Sequence, residues 1–305
     1  MAGLWRPTAI DVHHASSYLY FSDPQTQKIQ RAKLTENIVK EDFITDGLNK
    51  VEGLAIDWVG NNLYYADEGM QAIFVASLSW PELRRTLVRE RTDHVRSLAL
   101  DPASGRLFWS NWNNMEAAVM MTSGLPQQTS AGSIVWSWMD GSEPEVLLDF
   151  DLQWPNGLTF DPVSSMLYWC DTFLNRIERL NLTGLLESVS ADSRAGGGKV
   201  VKPGLMQRRR SVVLADENLT ARPYGLTLHQ GQLIYTEFVR GRILRLDLAT
   251  NVTVVLLADL PQLFEVTRIN WYQSRIFCIY GTGILLMFFN LPVPVPLFVL
   301  FKKFK

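Results

Sequence analysis

The feature that most constrains this chain is a short aromatic strand that recurs six times. It reads Tyr18-Leu19-Tyr20-Phe21-Ser22-Asp23, Leu63-Tyr64-Tyr65-Ala66-Asp67, Leu107-Phe108-Trp109-Ser110-Asn111, Leu167-Tyr168-Trp169-Cys170-Asp171 and Leu233-Ile234-Tyr235-Thr236-Glu237. A worn sixth copy is Ile276-Phe277-Cys278-Ile279-Tyr280. The central aromatics are 45, 44, 60, 66 and 42 residues apart. Insertions near 113–132 and 184–210 account for the two long intervals, so the underlying period is 42 to 45. About ten residues upstream of each copy lies a second run ending in Asp or a relative, as in Leu54 to Asp57, Leu98 to Asp101 and Leu158 to Asp161. Turn-formers such as Gly60-Asn61-Asn62 and Asp161-Pro162 fill the gaps, which is hairpin chemistry. Downstream, Ala72 to Ala76 and Arg176 to Leu180 alternate with period two, a third half-buried strand, and apolar runs such as Glu145 to Leu148 supply a fourth. Four short strands per repeat, six times over, predict an all-β six-bladed propeller, because radial closure hides edges that a flat meander would expose.

Composition narrows the function. Twenty-nine basic against 31 acidic residues give a formal charge of −2, which argues against a nucleic-acid partner. Two cysteines exclude a disulfide-stapled miniprotein and a four-thiolate zinc site. Cys170 and Cys278 fall on copies four and six, so two buried thiols are expected rather than a bridge. Four histidines show no metal-ligand spacing, and no Gly-x-Ser-x-Gly elbow or Gly-rich phosphate loop is present. No catalytic residue, metal or cofactor is expected. Met1 to Ile10 does not read as a secretory signal. The propeller is expected to occupy 1–282, leaving 283–305 as an apolar, proline-rich tail. The run Ile284 to Phe301 approaches spanning length at about 27 Å, with Lys302 and Lys303 behind it, but Pro292, Pro294 and Pro296 interrupt a helix. A membrane span, a last-blade strand with a loose tail, and an atypical C-terminus therefore all remain open.

The stretch Val51-Glu52-Gly53-Leu54-Ala55-Ile56-Asp57 through Leu63-Tyr64-Tyr65-Ala66-Asp67 resembles the YWTD propeller of the low-density-lipoprotein receptor family. Trp138-Met139-Asp140-Gly141 and Trp154-Pro155-Asn156-Gly157-Leu158 strengthen the likeness, which is greatest to the large receptor-related endocytic members. It runs from about Pro7 to Glu265. The resemblance implies a non-enzymatic, protein-binding module of an endocytic receptor, extracellular or in the endosomal lumen. It also implies neighbouring EGF-like modules, which this sequence lacks. Their absence and that of a signal favour a fragment of a longer receptor.

The residue just before each first strand should ring one mouth of the central channel, which gives Thr8, Glu52, Arg96, Asn156, Tyr224 and Val266. Trp154 and Arg222 border the same face. The resemblance gives Asn156 paired hydrogen bonds to a protein ligand, with Trp154 adding apolar area and Glu52 and Arg96 fixing charge register. The rival reading is a metal-dependent hydrolase of the gluconolactonase and strictosidine-synthase kind, with Glu52 and Asn156 as metal ligands; Arg96 in the ring opposes it. Asn181, Asn218 and Asn251 each begin a glycosylation acceptor triplet. Arg208-Arg209-Arg210 reads as a solvated basic loop. His94, two residues before Arg96, is a candidate for acid-dependent ligand release, which the resemblance suggests.

Overall fold

The computed structural model describes residues 8–34, 39–112, 131–185, 203–215, 221–260, 263–267, 275–280 and 283–288. Each repeat folds into an antiparallel meander. The first comprises β1 (Ile10–His13), β2 (Tyr18–Asp23), β3 (Lys28–Lys33) and β4 (Lys40–Ile44). The second comprises β5 (Val51–Asp57), β6 (Asn62–Asp67), β7 (Ala72–Ser77) and β8 (Arg84–Val88). The third holds β9 (Val95–Asp101), β10 (Arg106–Trp112), β11 (Gly132–Trp138) and β12 (Glu145–Leu148). The fourth holds β13 (Pro155–Asp161), β14 (Met166–Asp171), β15 (Arg176–Asn181) and, after α1 (Pro203–Arg209), β16 (Arg210–Ala215). The fifth consists of β17 (Pro223–His229), β18 (Gln232–Glu237), β19 (Arg242–Asp247) and β20 (Val252–Leu257). Successive first strands β1, β5, β9, β13 and β17 lie side by side, so the sheets are arranged radially as a β-propeller.

The expectation of six four-stranded blades is corrected here to five among the described residues. The sixth repeat yields a three-stranded sheet, β21 (Leu263–Thr267), β22 (Arg275–Tyr280) and β23 (Gly283–Phe288), whose first strand lies beside β17 and β1. The sequence supplies a reason. Past Phe288 come Pro292, Pro294 and Pro296, three residues with no backbone donor for a ladder. The first strand of this sheet also lies earlier than the Arg268 to Asn270 slot, which falls outside the described residues.

The recurring aromatics are the mortar between blades. Trp109, Trp136, Trp169, Tyr20, Tyr65 and Tyr235 are all essentially inaccessible. Tyr20 and Phe43 of the first blade pack with Leu54 and Tyr65 of the second. Tyr64 of the second packs with Trp109 and Val135 of the third, Trp136 of the third with Phe160 and Trp169 of the fourth, and Tyr168 of the fourth with Tyr235 of the fifth. Each such ring removes about 150–250 Å² from water.

The acidic end of the aromatic motif has a separate task. Asp67 accepts backbone N–H bonds from Asn49 (2.7 Å), Lys50 (2.9 Å) and Met70 (3.1 Å). Asp171 likewise accepts from Gln153 (2.7 Å), Trp154 (3.2 Å) and Leu174 (2.9 Å). One carboxylate thus pins the loop entering the blade to the turn leaving its second strand. That loop carries the channel-mouth residues, so the motif that defines the fold also fixes the rim. Gly157 is needed beside it, since a Cβ there would sit 2.8 Å from both Leu226 N and Tyr224 O of the next blade.

Several sequence expectations end differently. Arg208-Arg209-Arg210 is not a loop: Arg208 and Arg209 close α1 and Arg210 opens β16, and of the three only Arg208 is exposed. Arg209 donates to the Thr183 carbonyl (2.7 Å), and the Arg210 side chain is buried, with Nε 2.8 Å from Glu178 Oε1 and Nη2 2.7 Å from Glu178 Oε2. The physical reason is local: β15 turns the acidic Glu178 inward, and an arginine opening β16 is the paired strand's means of neutralising it. Cys170 is buried as expected, and its thiol donates to the Tyr224 carbonyl (2.7 Å). The side chain of Cys278, the glycosylation candidate Asn218, most of both insertions and 289–305 lie outside the described residues. Among the described residues no helix is long and apolar enough to cross a membrane.

Candidate functional site

Glu52, Arg96, Asn156 and Tyr224 are each the second residue of their strand, β5, β9, β13 and β17, rather than the residue before it, and lie at the same end of adjacent inner strands. The fold brings them together around one side chain. Arg96 Nη1 pairs with Glu52 Oε2, its Nε donates to Asn156 Oδ1 at 3.2 Å, and its guanidinium lies 5.1 Å from the centre of the Tyr224 ring. Below this cluster a channel of about 120 Å³ runs between the inner strands, with Glu52 at the mouth and Trp58 and Pro102 toward the far end. Thr8 closes the first-blade side by donating its hydroxyl to the Val51 carbonyl (2.7 Å). The side chain of Val266 lies outside the described residues.

Asn156 is less available than its expected role suggests. It is buried, and its Nδ2 donates to Thr172 Oγ1 at 2.6 Å while its Oδ1 accepts from Arg96. Both ends of the amide are therefore engaged within the protein. Arg96, half-buried with Glu52 and Asn156 behind it, presents the outermost charge of the cluster.

A second tier surrounds this centre. Lys50 Nζ bridges Glu52 Oε1 (3.2 Å) and Glu68 Oε2 (3.1 Å), and His94 Nδ1 lies 2.7 Å from Glu68 Oε1. Burial works to raise the Glu68 carboxyl, but bonds from His94 and Lys50 outweigh it and hold its pKa below the ordinary value. Burial opposes the charge on Lys50, yet Glu52 and Glu68 together lift its pKa above the usual lysine range. Beside the ionic chain runs an aromatic one. His94 meets Trp112 (6.4 Å), Trp112 meets Trp154 (6.1 Å), Trp154 meets Phe173 (5.3 Å), and the Arg222 guanidinium stands 5.9 Å from the Phe173 ring. Every member is half-buried, with one side packed and one side wet. Trp154 thus both packs between blades and faces the mouth.

Sequence reasoning did not single out Lys50, Glu68, Trp112, Thr172, Phe173 or Phe238. A signal was available. Glu68, Trp112, Thr172 and Phe238 each follow directly on the aromatic motif of their repeat. That position forms the outer tier of the mouth.

This arrangement is poorly suited to hold a hard cation at Glu52 and Asn156. A cation there needs carboxylate and carbonyl oxygens free to point at it, and several of them. The Glu52 carboxylate and the Asn156 carbonyl are already shared by one guanidinium. Among the described residues no cluster of three or more His, Cys, Asp or Glu side chains could hold a metal ion.

No family model matches the chain. Among curated proteins, it is 44% identical over 57 residues to the mouse sortilin-related receptor, covering 19% of this chain and 2% of that protein. It is 26% identical over 237 residues to the Drosophila melanogaster vitellogenin receptor Yl, covering 75% of this chain and 10% of the receptor. The chain therefore spans a tenth or less of the length of these relatives. Among solved structures it matches a chain of the nidogen/laminin complex with a TM-score of 0.66 at 25% identity, covering 86% and 84% of the two chains. A gluconolactonase of Xanthomonas campestris superposes with a TM-score of 0.67 at 16% identity, covering 92% and 85%, which is a likeness of fold alone. With the repeated aromatic motif, the inter-blade rings and the anchoring aspartates, these matches show that the chain resembles the YWTD-type propellers of the low-density lipoprotein receptor family.

Proposed function

We propose that this propeller is the ligand-binding module of an extracellular, lipoprotein-receptor-related endocytic receptor, and that it binds rather than catalyses. Its ligand is a protein segment that lies across the mouth formed by Glu52, Arg96, Trp154, Asn156 and Tyr224. The observation that carries the reading is the pairing of a tethered, partly exposed arginine with an arc of half-exposed aromatic rings. Buried-edged Arg, Trp and Tyr side chains are what protein interfaces use as anchors. Arg96 is held in place by Glu52 and by Asn156, so little side-chain entropy remains to be lost on binding. An acidic or carbonyl-rich segment fits Arg96, and an apolar side chain fits the arc beside Trp154. EGF-like modules in the longer receptor would flank this one.

Acid-dependent release belongs to the same reading. His94 reaches the mouth through Glu68, Lys50 and Glu52, and histidine is the side chain that gains charge between pH 8 and 5. A protonated His94 would compete with Lys50 for Glu68 and alter the charge delivered to Glu52 and Arg96. The rival hydrolase reading is supported by the fold neighbour alone and opposed by the guanidinium lying between the two would-be metal ligands.

The experiment is affinity capture. Immobilised propeller, secreted from cultured cells, is exposed to extracellular fluid at neutral pH and eluted near pH 5. The proposal expects a defined protein that wild type retains, that acid releases, and that His94→Ala retains through the acid wash. Retention unaffected by acid in both proteins overturns the release step. A calcium titration runs in parallel, and one tight calcium site abolished by Glu52→Gln would favour the hydrolase.

A further inference from the structure

Blades stack face to face, but among the described residues the outer strand of each keeps one edge unpaired, a template for pairing with another chain unless it is blunted. Four of the five complete blades carry charge on that strand. β4 has Lys40, Glu41 and Asp42, β8 has Arg84 and Arg85, β12 has Glu145, and on β16, whose own Arg210 is buried against Glu178, Arg179 is laid across the strand to Ser211 (3.1 Å). β20 has none. Its sequence is Val-Thr-Val-Val-Leu-Leu, free of charge and proline, with Val252, Val254 and Val255 exposed at 54, 40 and 46%. Such a strand is also the composition that drives edge-to-edge association.

The same strand begins inside a glycosylation triplet, Asn251-Val252-Thr253, and all three residues are exposed. Asn251 closes the β19–β20 turn. Its backbone N–H reaches the Asp247 carbonyl at 2.8 Å, its φ is +58°, and its side-chain amide makes no hydrogen bond among the described residues. The triplet at Asn181 differs. Asn181 is half-buried, its Oδ1 accepts from Thr183 N (2.9 Å), and Arg209 clasps the Asn181 and Thr183 carbonyls.

We propose that Asn251 carries an N-linked glycan whose task is to cover the uncharged edge β20 and keep the propeller from pairing with a second copy. The glycan is bulky and strongly hydrated, and its attachment point lies at the first residue of the edge it must cover. This inference rests on the extracellular reading, since only a chain in the secretory pathway meets the modifying enzyme.

The test uses protein secreted from cultured cells, with glycopeptide mapping of all three triplets and molar mass measured by light scattering across a concentration series. The informative variant is Asn251→Gly, because glycine accepts the positive φ while removing the attachment point. Occupancy at Asn251, a monomeric wild type, and at least a doubling of mass for Asn251→Gly at high concentration support the proposal. Val252→Lys placed in the same variant sets a charge opposite Asp247 and should restore the monomer. A bare Asn251 beside a glycan at Asn181 or Asn218 overturns the proposal and leaves the extracellular reading standing. No glycan at any triplet defeats both. An occupied Asn251 whose removal leaves the mass unchanged refutes the shielding role.

Discussion

Replacing Arg210 by alanine should destabilise the propeller far more than an arginine in a basic run ordinarily would. Its side chain is 6% exposed and faces Glu178, which is 3% exposed. Two N–H groups donate to the Glu178 carboxylate, and two more reach the Phe150 carbonyl (2.9 Å) and the Asp151 carbonyl (2.8 Å). The guanidinium also stands 5.3 Å from the Trp169 ring and 5.5 Å from that of Phe150. Removing one partner of a buried pair costs about 3–5 kcal/mol. Glu178 keeps a second arginine, Arg176, at 3.0 Å, so the lower end, about 3 kcal/mol, is expected. For a domain of this size that lowers Tm by roughly 6–12 °C. Lysine at 210 should recover only part of the loss, because one ammonium cannot serve four acceptors and lie flat on two rings. The assay is urea and thermal unfolding of Arg210→Ala, Glu178→Gln and the double variant. A double variant less destabilised than the sum of the singles is expected. A change within about 0.5 kcal/mol for Arg210→Ala would refute the reasoning, since that is what a solvated arginine gives.

Other substitutions probe the rim and its supports. Gly157→Ala would drive a methyl group against the backbone of β17, and chemical denaturation should report a loss of about 1–3 kcal/mol. Arg96→Ala should leave Glu52 buried with Lys50 as its remaining partner, and should weaken ligand capture more than Lys50→Ala, as measured by surface binding. The pH dependence of stability follows from Glu68 and Asp42. Bonds from Lys28 and Gln30 hold the Asp42 carboxyl below its usual range, as His94 and Lys50 hold Glu68. A depressed folded pKa gives stability that is complete above the ordinary carboxylate range and lost as pH falls through it. Thermal melts should therefore agree between neutral pH and the mildly acidic range and fall below about pH 4. Ligand release under mildly acidic conditions would then occur on a folded propeller, and a melting curve that collapses there would contradict this.

How much of this was legible in the sequence depends on the range of the interaction. The aromatic strands and their terminal aspartates were readable because each acts within its own repeat or against the next, and repetition exposes a shared role. The ring positions were readable for the same reason. The contacts of Arg96 were not. Its partners Glu52 and Asn156 lie 44 and 60 residues away, and nothing local says that one guanidinium would engage both. Arg210 was misread because charge runs are ordinarily solvated, and its partner Glu178 is 32 residues upstream across an insertion. The blade count differed where the motif itself is worn, at the sixth copy. A buried polar contact across blades belongs to the closed ring, and only the closed ring displays it.

The central claim is that a protein ligand lies across the mouth. The most direct measurement is photo-crosslinking from a light-activated phenylalanine analogue placed singly at Trp154 or at Val163. Trp154 borders Asn156 at the start of β13, whereas Val163 follows the end of that strand at the opposite face and is 94% exposed. The account predicts a covalent adduct with the captured ligand from position 154 and none from 163, with Arg96→Ala reducing its yield. Adducts from 163 alone, or equally from both, would contradict it.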